Sequence, residues 1–245
     1  KANNIAIQQS RSRYVMMLNA DVFLSAEYIE NCVTFLDENG QYSSVQGKLL
    51  LERMSNLIDS TGNVIASIRL AYNRYHREAD WDVPSGEIFG VCAAAAIYRC
   101  SSLEAVKLKD EYLDNDFFAY LEDVDLDWRM RLFGFRAYFL NTAKALHIRE
   151  VSSKNWYRLT QAFRNRLYLI IKNDTTAQVV LNLILAPIIL LFTTHPIANA
   201  RLIPTMFQKR KLILLHKTVS RGAVSSLFQS NPWGMWIKKS IGMKP

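Results

Sequence analysis

Two groups of polar residues have types and spacings that could carry chemistry. Asn19-x-Asp21 ends the apolar run Tyr14-Val15-Met16-Met17-Leu18. In open α/β sheets, ligands bind outside the carboxyl ends of strands. A hard Mg2+ or Mn2+ ion takes one or two carboxylates there, together with substrate phosphates. Asp21 could supply one; the plainer role for the pair is the turn hydrogen bonding that Asn and Asp provide in loops. Glu122, Asp123, Asp125 and Asp127 crowd a helix start after an aromatic run. The helix dipole favours acids at that end, which accounts for one or two of them. Crowded carboxylates raise one another's pKa, which suits a general base. His147, one of four histidines, is either a packed histidine or a metal ligand. The second role needs it to meet Asp21 in space, which spacing alone does not show. Gly86 and Gly90 flank the start of an apolar strand, where a bulge or turn is the ordinary use of glycine.

The elements that must position these groups follow from hydrophobic periodicity. Residues 14–18 form a short apolar run of the buried-strand type. Ser25 is the expected N-cap of a helix that carries Ile29, Cys32, Val33 and Leu36 at helical spacing, with Gly40 at its C′ position. Residues 45–51 are the next expected strand. Strand, acidic turn, helix, strand is α/β grammar. Residues 52–82 look polar and irregular, an excursion or loop region. Residues 88–98 predict a tightly packed central strand, and 103–106 a short helix. The acidic helix runs through Leu132 and closes at Gly134, with Arg129 and Arg131 near its C-terminal end. Strands are expected over 136–140 and 143–148.

Composition sets the class. Half of the 245 residues are hydrophobic and 21% are charged, which excludes disorder and low complexity. Cys32, Cys92 and Cys100 are too few for a disulfide framework and form no CxxC pair, so a reducing compartment is the default. No GxGxxG, P-loop or GxSxG motif is present. Charge divides the chain. Residues 1–150 carry 16 Lys+Arg against 21 Asp+Glu, whereas 151–245 carry 14 against the single acid Asp174. A basic segment suits nucleic acid or an anionic membrane surface. The apolar texture here favours the membrane. Residues 157–172 predict a basic, aromatic, amphipathic helix containing Arg164-Asn165-Arg166. Residues 175–200 hold no charged side chain, and the mostly aliphatic run 177–194, interrupted by Pro187, is at the lower limit for a spanning helix. Lys209-Arg210-Lys211, Trp233 and Trp236 extend the pattern. Amphipathic and re-entrant helices are therefore expected over a clean span; the plainer alternative for 177–194 is a buried core helix of a soluble domain.

Taken together, these residues resemble the family 2 glycosyltransferases of GT-A fold, in particular a bacterial rhamnosyltransferase-like branch. The resemblance is carried by Tyr14-Val15-Met16-Met17-Leu18-Asn19-Ala20-Asp21, by Gly90 with the strand to Arg99, by Phe117-Phe118-Ala119-Tyr120-Leu121-Glu122-Asp123-Val124-Asp125-Leu126-Asp127-Trp128-Arg129, by Phe133-Gly134-Phe135-Arg136 and by Ala145-Leu146-His147. It covers roughly residues 4–150, and the run from Phe117 to Arg129 is its most specific part. The resemblance implies an α/β fold with a GT-A-type mixed sheet flanked by helices over 1–150, followed by a helical, membrane-associated region over 151–245. It implies donor binding by Asn19, Asp21 and Gly90. It implies a Mg2+ or Mn2+ ion on Asp21 and His147, a catalytic base at Asp123, and Glu122, Asp125 and Trp128 on the acceptor side. Only 18 residues precede Asn19, so the chain is expected to lack the amino-terminal half that holds the nucleotide base.

The expected activity is inverting, metal-dependent transfer of a sugar, rhamnose being the candidate, from a nucleotide-diphosphate sugar to a hydroxyl. The acceptor is a cell-surface polysaccharide or lipid-linked glycan. The expected place is the cytoplasmic face of the cell membrane, bound peripherally or monotopically to an anionic surface, with no nucleic-acid partner. The alternative is a non-catalytic, membrane-associated scaffold that keeps a degenerate GT-A shell.

Overall fold

The computed structural model describes residues 1–149 and 156–229. After α1 (Ala2–Gln9), the apolar run becomes β1 (Tyr14–Leu18). A tight turn at Asn19 leads to β2 (Val22–Leu24), and Ser25 begins a further turn in which its carbonyl accepts from Tyr28 N. Helix α2 (Tyr28–Glu38) therefore starts later than a Ser25 cap implies, with Glu27 as N-cap. It buries Tyr28, Cys32 and Leu36, one above the next, against the sheet.

Strand β3 (Tyr42–Leu51) is almost wholly buried, the signature of a strand covered on both faces. It is followed by β4 (Met54–Ser60), β5 (Asn63–Ile65) and β6 (Ala71–Asn73). The segment expected to be irregular is thus partly strand. Its apolar residues are too sparse to alternate clearly, and tertiary pairing supplies what propensity does not. The expected single strand over 88–98 is divided into β7 (Gly86–Ile88) and β8 (Ala95–Arg99), which pair with different neighbours. Helix α3 (Cys100–Val106) and the acidic helix α4 (Glu122–Leu132) follow. The two expected strands after it are one, β9 (Arg136–His147).

The main sheet is mixed, in the order β1-β8-β3-β9-β2, with β4 beside β3 and β7 beside β9. Only β3 and β9 run parallel; their register slips after Gly47, where the partner moves from Leu140 to Lys144. A Cβ on Gly47 would lie 2.3 Å from the Ala143 carbonyl and 2.5 Å from the Tyr28 ring, so only glycine allows this approach. Helices flank the sheet, which fits the expected GT-A class.

Beyond residue 155 come α5 (Trp156–Asn173), α6 (Thr176–Leu191), α7 (Pro196–Arg201), α8 (Ile203–His216) and α9 (Arg221–Ser225). They share a core with α4: Trp128 and Leu132 pack in one cluster with Tyr168, Ile171, Met206, Ile213 and Phe228. Buried charges cross the expected boundary at residue 150. Lys172, with no exposed surface, donates to Asp114 at 2.5 Å and Asp125 at 2.8 Å. Lys209 donates to Asp114, Asp116 and Glu111. Helix α6 buries Val179, Asn182, Ala186 and Leu190 and turns Val180, Leu181, Ile184, Leu185, Ile188 and Leu191 outward. Ile184 is 69% and Leu191 75% exposed. The helix is half packed, neither a fully buried core helix nor a polar surface one. No helix among the described residues is long and apolar enough to cross a membrane. Trp233 and Trp236 lie outside the described residues.

Candidate active site

Pairing of β2 with β9 places Val22 opposite His147, so Asp21, one residue earlier, reaches the histidine from far away in sequence. His147 Nε2 lies 3.3 Å from Asp21 Oδ1. The turn that carries Asp21 is fixed by Asn19 N donating to Ala94 O at 2.9 Å and Ile148 N donating to Asp21 O at 2.8 Å. The other side of the ring is held from below: Nδ1 donates to Asp59 Oδ2 at 2.7 Å. Burial would push the Asp59 carboxyl up. Hydrogen bonds from His147 and His76 and the charge of Arg149 overcome that and hold it well below the usual carboxylate range. An ionised Asp59 accepts the Nδ1 proton, which turns Nε2 toward Asp21. The 3.3 Å approach of Nε2 to Asp21 Oδ1 is satisfied by a proton on Nε2 or by a cation between the two atoms.

That donor set fits a divalent cation in type: one carboxylate, one imidazole, and a carboxylate behind the imidazole, the usual support of a metal-bound histidine. Among the described residues no group of three or more His, Cys, Asp or Glu side chains is arranged to hold a metal ion. Further oxygens would come from a phosphate-bearing substrate, the normal case for Mg2+.

The start of α4 lines the same cleft. Asp123 Oδ2 accepts from Ala93 N and Asn63 Nδ2, each at 3.2 Å, and Oδ1 accepts from Val124 N at 2.8 Å. Burial, and then the neighbouring Asp123 charge, push Glu122 up to about 7; its Oε2 is buried without a partner. Asp21, His147, Glu122, Asp123 and Asn19 all line one open cleft of about 820 Å³, with Tyr72, Asn73, Tyr120 and Arg149 on its sides. Cys92 also lines it, but burial pushes its thiol up to about 12, so it is no nucleophile at neutral pH.

Three expected site residues lie elsewhere. Gly90 does not line the cleft: a Cβ there would sit 2.1 Å from the Asp127 carboxyl. Its smallness admits Asp127, which accepts from Asn63 Nδ2 at 2.9 Å and Val91 N at 3.2 Å. Burial and then the Asp123 charge push Asp127 well up. Asp125 is turned to the other side of α4, where Arg129, Lys172 and Asn173 bind it. Trp128 is fully buried against Phe228, ring centres 4.9 Å apart. Spacing on one helix does this: positions two and five after Asp123 are turned by about 200° and about 140° from it at 3.6 residues per turn. Arg129 and Arg131 do more than complement a helix end. Arg129 caps the carbonyls of Val106 and Tyr112, and Arg131 those of Ile88 and Phe89.

Asp59 and Asn63 were not singled out by sequence. Both sit in the stretch that looks irregular, and their partners are distant in the chain.

The comparisons bear on this geometry. Residues 1–107 match glycosyl transferase family 2. The matched segment contains Asn19, Asp21, Asp59 and Gly90; it ends before α4 and His147. No curated protein matches the chain. Among solved structures, the crystal structure of GalNAc-T7 with UDP, GalNAc and Mn2+ superposes with a TM-score of 0.52 at 10% identity, over 70% of this chain and 34% of that one. That likeness concerns the fold. The crystal structure of A197 from STIV has a TM-score of 0.39 at 17% identity, over 60% of this chain and 63% of that one. This chain thus spans less than two thirds of either protein.

Proposed function

We propose that this protein is an inverting glycosyltransferase that moves a sugar from a nucleotide-diphosphate donor to an acceptor hydroxyl. The observation that carries the proposal is that Asp21, His147, Glu122 and Asp123 all line one cleft, with Asp21 and His147 in contact. Asp21 and His147 would hold a Mg2+ or Mn2+ ion, which when bound offsets the charge of a departing diphosphate. Asn19 presents the turn beside them. Asp123 removes the proton from the acceptor oxygen as that oxygen attacks the anomeric carbon. The hydrogen bonds from Ala93 N, Asn63 and Val124 N hold its carboxylate in place. Direct attack with one base inverts the anomeric centre. Glu122 faces the acceptor. The rhamnosyltransferase-like motifs make rhamnose the first donor to try. A donor screen that reads nucleoside diphosphate release tests the proposal. Asp123→Asn should lower turnover by about 10²–10⁴-fold with donor binding retained, and near-normal turnover would refute the assignment.

We also propose that the carboxy-terminal helices hold the protein at an anionic membrane surface, with a cell-surface or lipid-linked glycan as acceptor. The outward apolar face of α6 and its neighbours Phe192 and Ile197 support this, as do the exposed Arg201 and Lys211, whereas Lys172 and Lys209 are spent on acids of the core. Each basic residue near anionic lipid adds about 1 kcal/mol. Vesicle flotation that needs anionic lipid and weakens in high salt is the expected result; a protein that never floats would refute the proposal.

A further inference from the structure

The loop that leads into α4 has an unusual backbone. Phe118 has φ 62° and ψ −63°, and Ala119 N donates to Phe117 O at 2.7 Å, which is a γ-turn of the rare, strained hand. Tyr120 (φ 69°) and Leu121 (φ 66°) then occupy the left-handed region. None of the three is glycine, so each is a conformation that L-residues resist. Phe117 and Leu121 anchor the two ends in the core, but Phe118 is 77% exposed, so side-chain packing does not impose the turn. Ala119, Tyr120 and Leu121 line the cleft, and Glu122 follows at once.

A side chain from α5 satisfies this backbone. Asn165, fully buried, donates its amide to the carbonyls of Phe117 at 3.0 Å, Ala119 at 2.8 Å and Tyr120 at 2.6 Å. Arg164 donates to the carbonyls of Asp116 at 3.0 Å and Phe117 at 2.7 Å, and through Nε to Asn165 Oδ1 at 2.9 Å, which fixes the carboxamide's orientation. Five donor–acceptor contacts from two adjacent side chains, three of them sharing the two amide hydrogens of Asn165, thus hold one strained five-residue loop. We infer that Asn165, oriented by Arg164, is a positioning residue that holds the cleft lip and the Glu122–Asp123 end of α4 in their working geometry. The carboxy-terminal region then completes the site as well as flanking it. The catalytic half of this inference rests on the glycosyltransferase proposal; the structural half does not.

The test uses the full chain. Asn165→Ala removes the donor, and Asn165→Asp keeps the shape but sets a carboxylate against three carbonyls. In both, hydrogen exchange at the amides of 118–124 should quicken by at least about 10-fold, with exchange in β3 and β8 unchanged. Adding Phe118→Gly to Asn165→Ala should recover at least half of that protection on a logarithmic scale, since glycine adopts positive φ freely. Turnover should fall by about 10–100-fold, the effect of misplacing a catalytic group. Sugar-nucleotide affinity should stay within about two-fold, because Asn19 and Asp21 are held by the backbone of Ala94 and Ile148, which Asn165 does not touch. Unchanged exchange at 118–124, no rescue by Phe118→Gly, or equal losses in donor affinity and turnover would each overturn the inference. If the unsubstituted chain turns over no sugar nucleotide, the proposed function fails, and the exchange and rescue results still decide the clamp.

Discussion

Replacing Lys172 by Met tests whether the carboxy-terminal helices are integral to the fold. The swap keeps side-chain length and removes the charge. Lys172 has no exposed surface and binds two buried carboxylates, Asp114 and Asp125. Its loss removes two charge-assisted hydrogen bonds, each worth roughly 1.5–3 kcal/mol. Breaking a buried pair generally costs about 3–5 kcal/mol. Here both carboxylates keep another cation, Asp114 through Lys209 at 2.5 Å and Asp125 through Arg129 at 3.1 Å, so about 3 kcal/mol is expected. At roughly 2–4 °C per kcal/mol for a chain of this size, Tm should fall by about 6–12 °C. The loss should also depend on pH. Burial would push the Asp114 carboxyl up, and the Lys172 and Lys209 charges overcome that and hold it below the usual range. A depressed carboxylate contributes stability that is full above its unfolded value, near 3.9, and is lost as pH falls through its folded value. In the variant, Asp114 keeps only Lys209, so its carboxyl titrates higher and takes a proton earlier as pH falls. The gap between the two proteins should therefore be widest near neutral pH and shrink toward pH 4. Urea unfolding followed by far-UV circular dichroism at pH 7 and pH 4.5 reads both quantities. A loss under about 1 kcal/mol, or one that is the same at both pH values, would refute the account.

Asp59→Asn should free the His147 ring and weaken Mn2+ binding, measured by calorimetry, by about 10–100-fold; unchanged affinity would remove Asp59 from the site. Gly90→Ala should destabilise by about 1–3 kcal/mol in urea, because its methyl meets the buried Asp127 carboxyl; a neutral result would show that α4 can shift freely. With Glu122 pushed up to about 7, kcat/KM should carry an inflection near that pH which Glu122→Gln abolishes, and persistence of the inflection in that variant would assign it to another group.

Much of the frame was legible because periodicity reports burial. The apolar run of β1, the stripe of α2 and the acidic start of α4 all stand where spacing places them, within a turn at α2. Asp21 and His147 were legible as types, and their meeting depended on the resemblance, since only the register of β2 on β9 brings them together. The polar network under the cleft was not legible. Asp59, Asn63 and Asn165 are buried polar residues whose hydrogen bonds reach far along the chain, and a buried asparagine has no periodic signature. Asp125 and Trp128 misled for a related reason: a motif fixes residue types in order, while the helix decides which face each one serves.

The slip between β3 and β9 has a consequence for how this chain can vary. From Lys144 onward, β9 alternates outward Lys144 and Leu146 with inward Ala145 and His147. Asn141, Thr142 and Ala143 have no partner on β3, where Gly47 leaves room. Because this unpaired stretch already absorbs an odd number of residues, the face each later residue takes is set by its partners, Leu51 and Val22 for His147, and not by the length of the stretch. A length change taken up within the stretch leaves His147 beside Asp21, whereas one that slips β9 by a single residue against β2 and β3 exchanges its faces and carries His147 away. The bulge thus uncouples the half of β9 that bears the histidine from the half that pairs with β7.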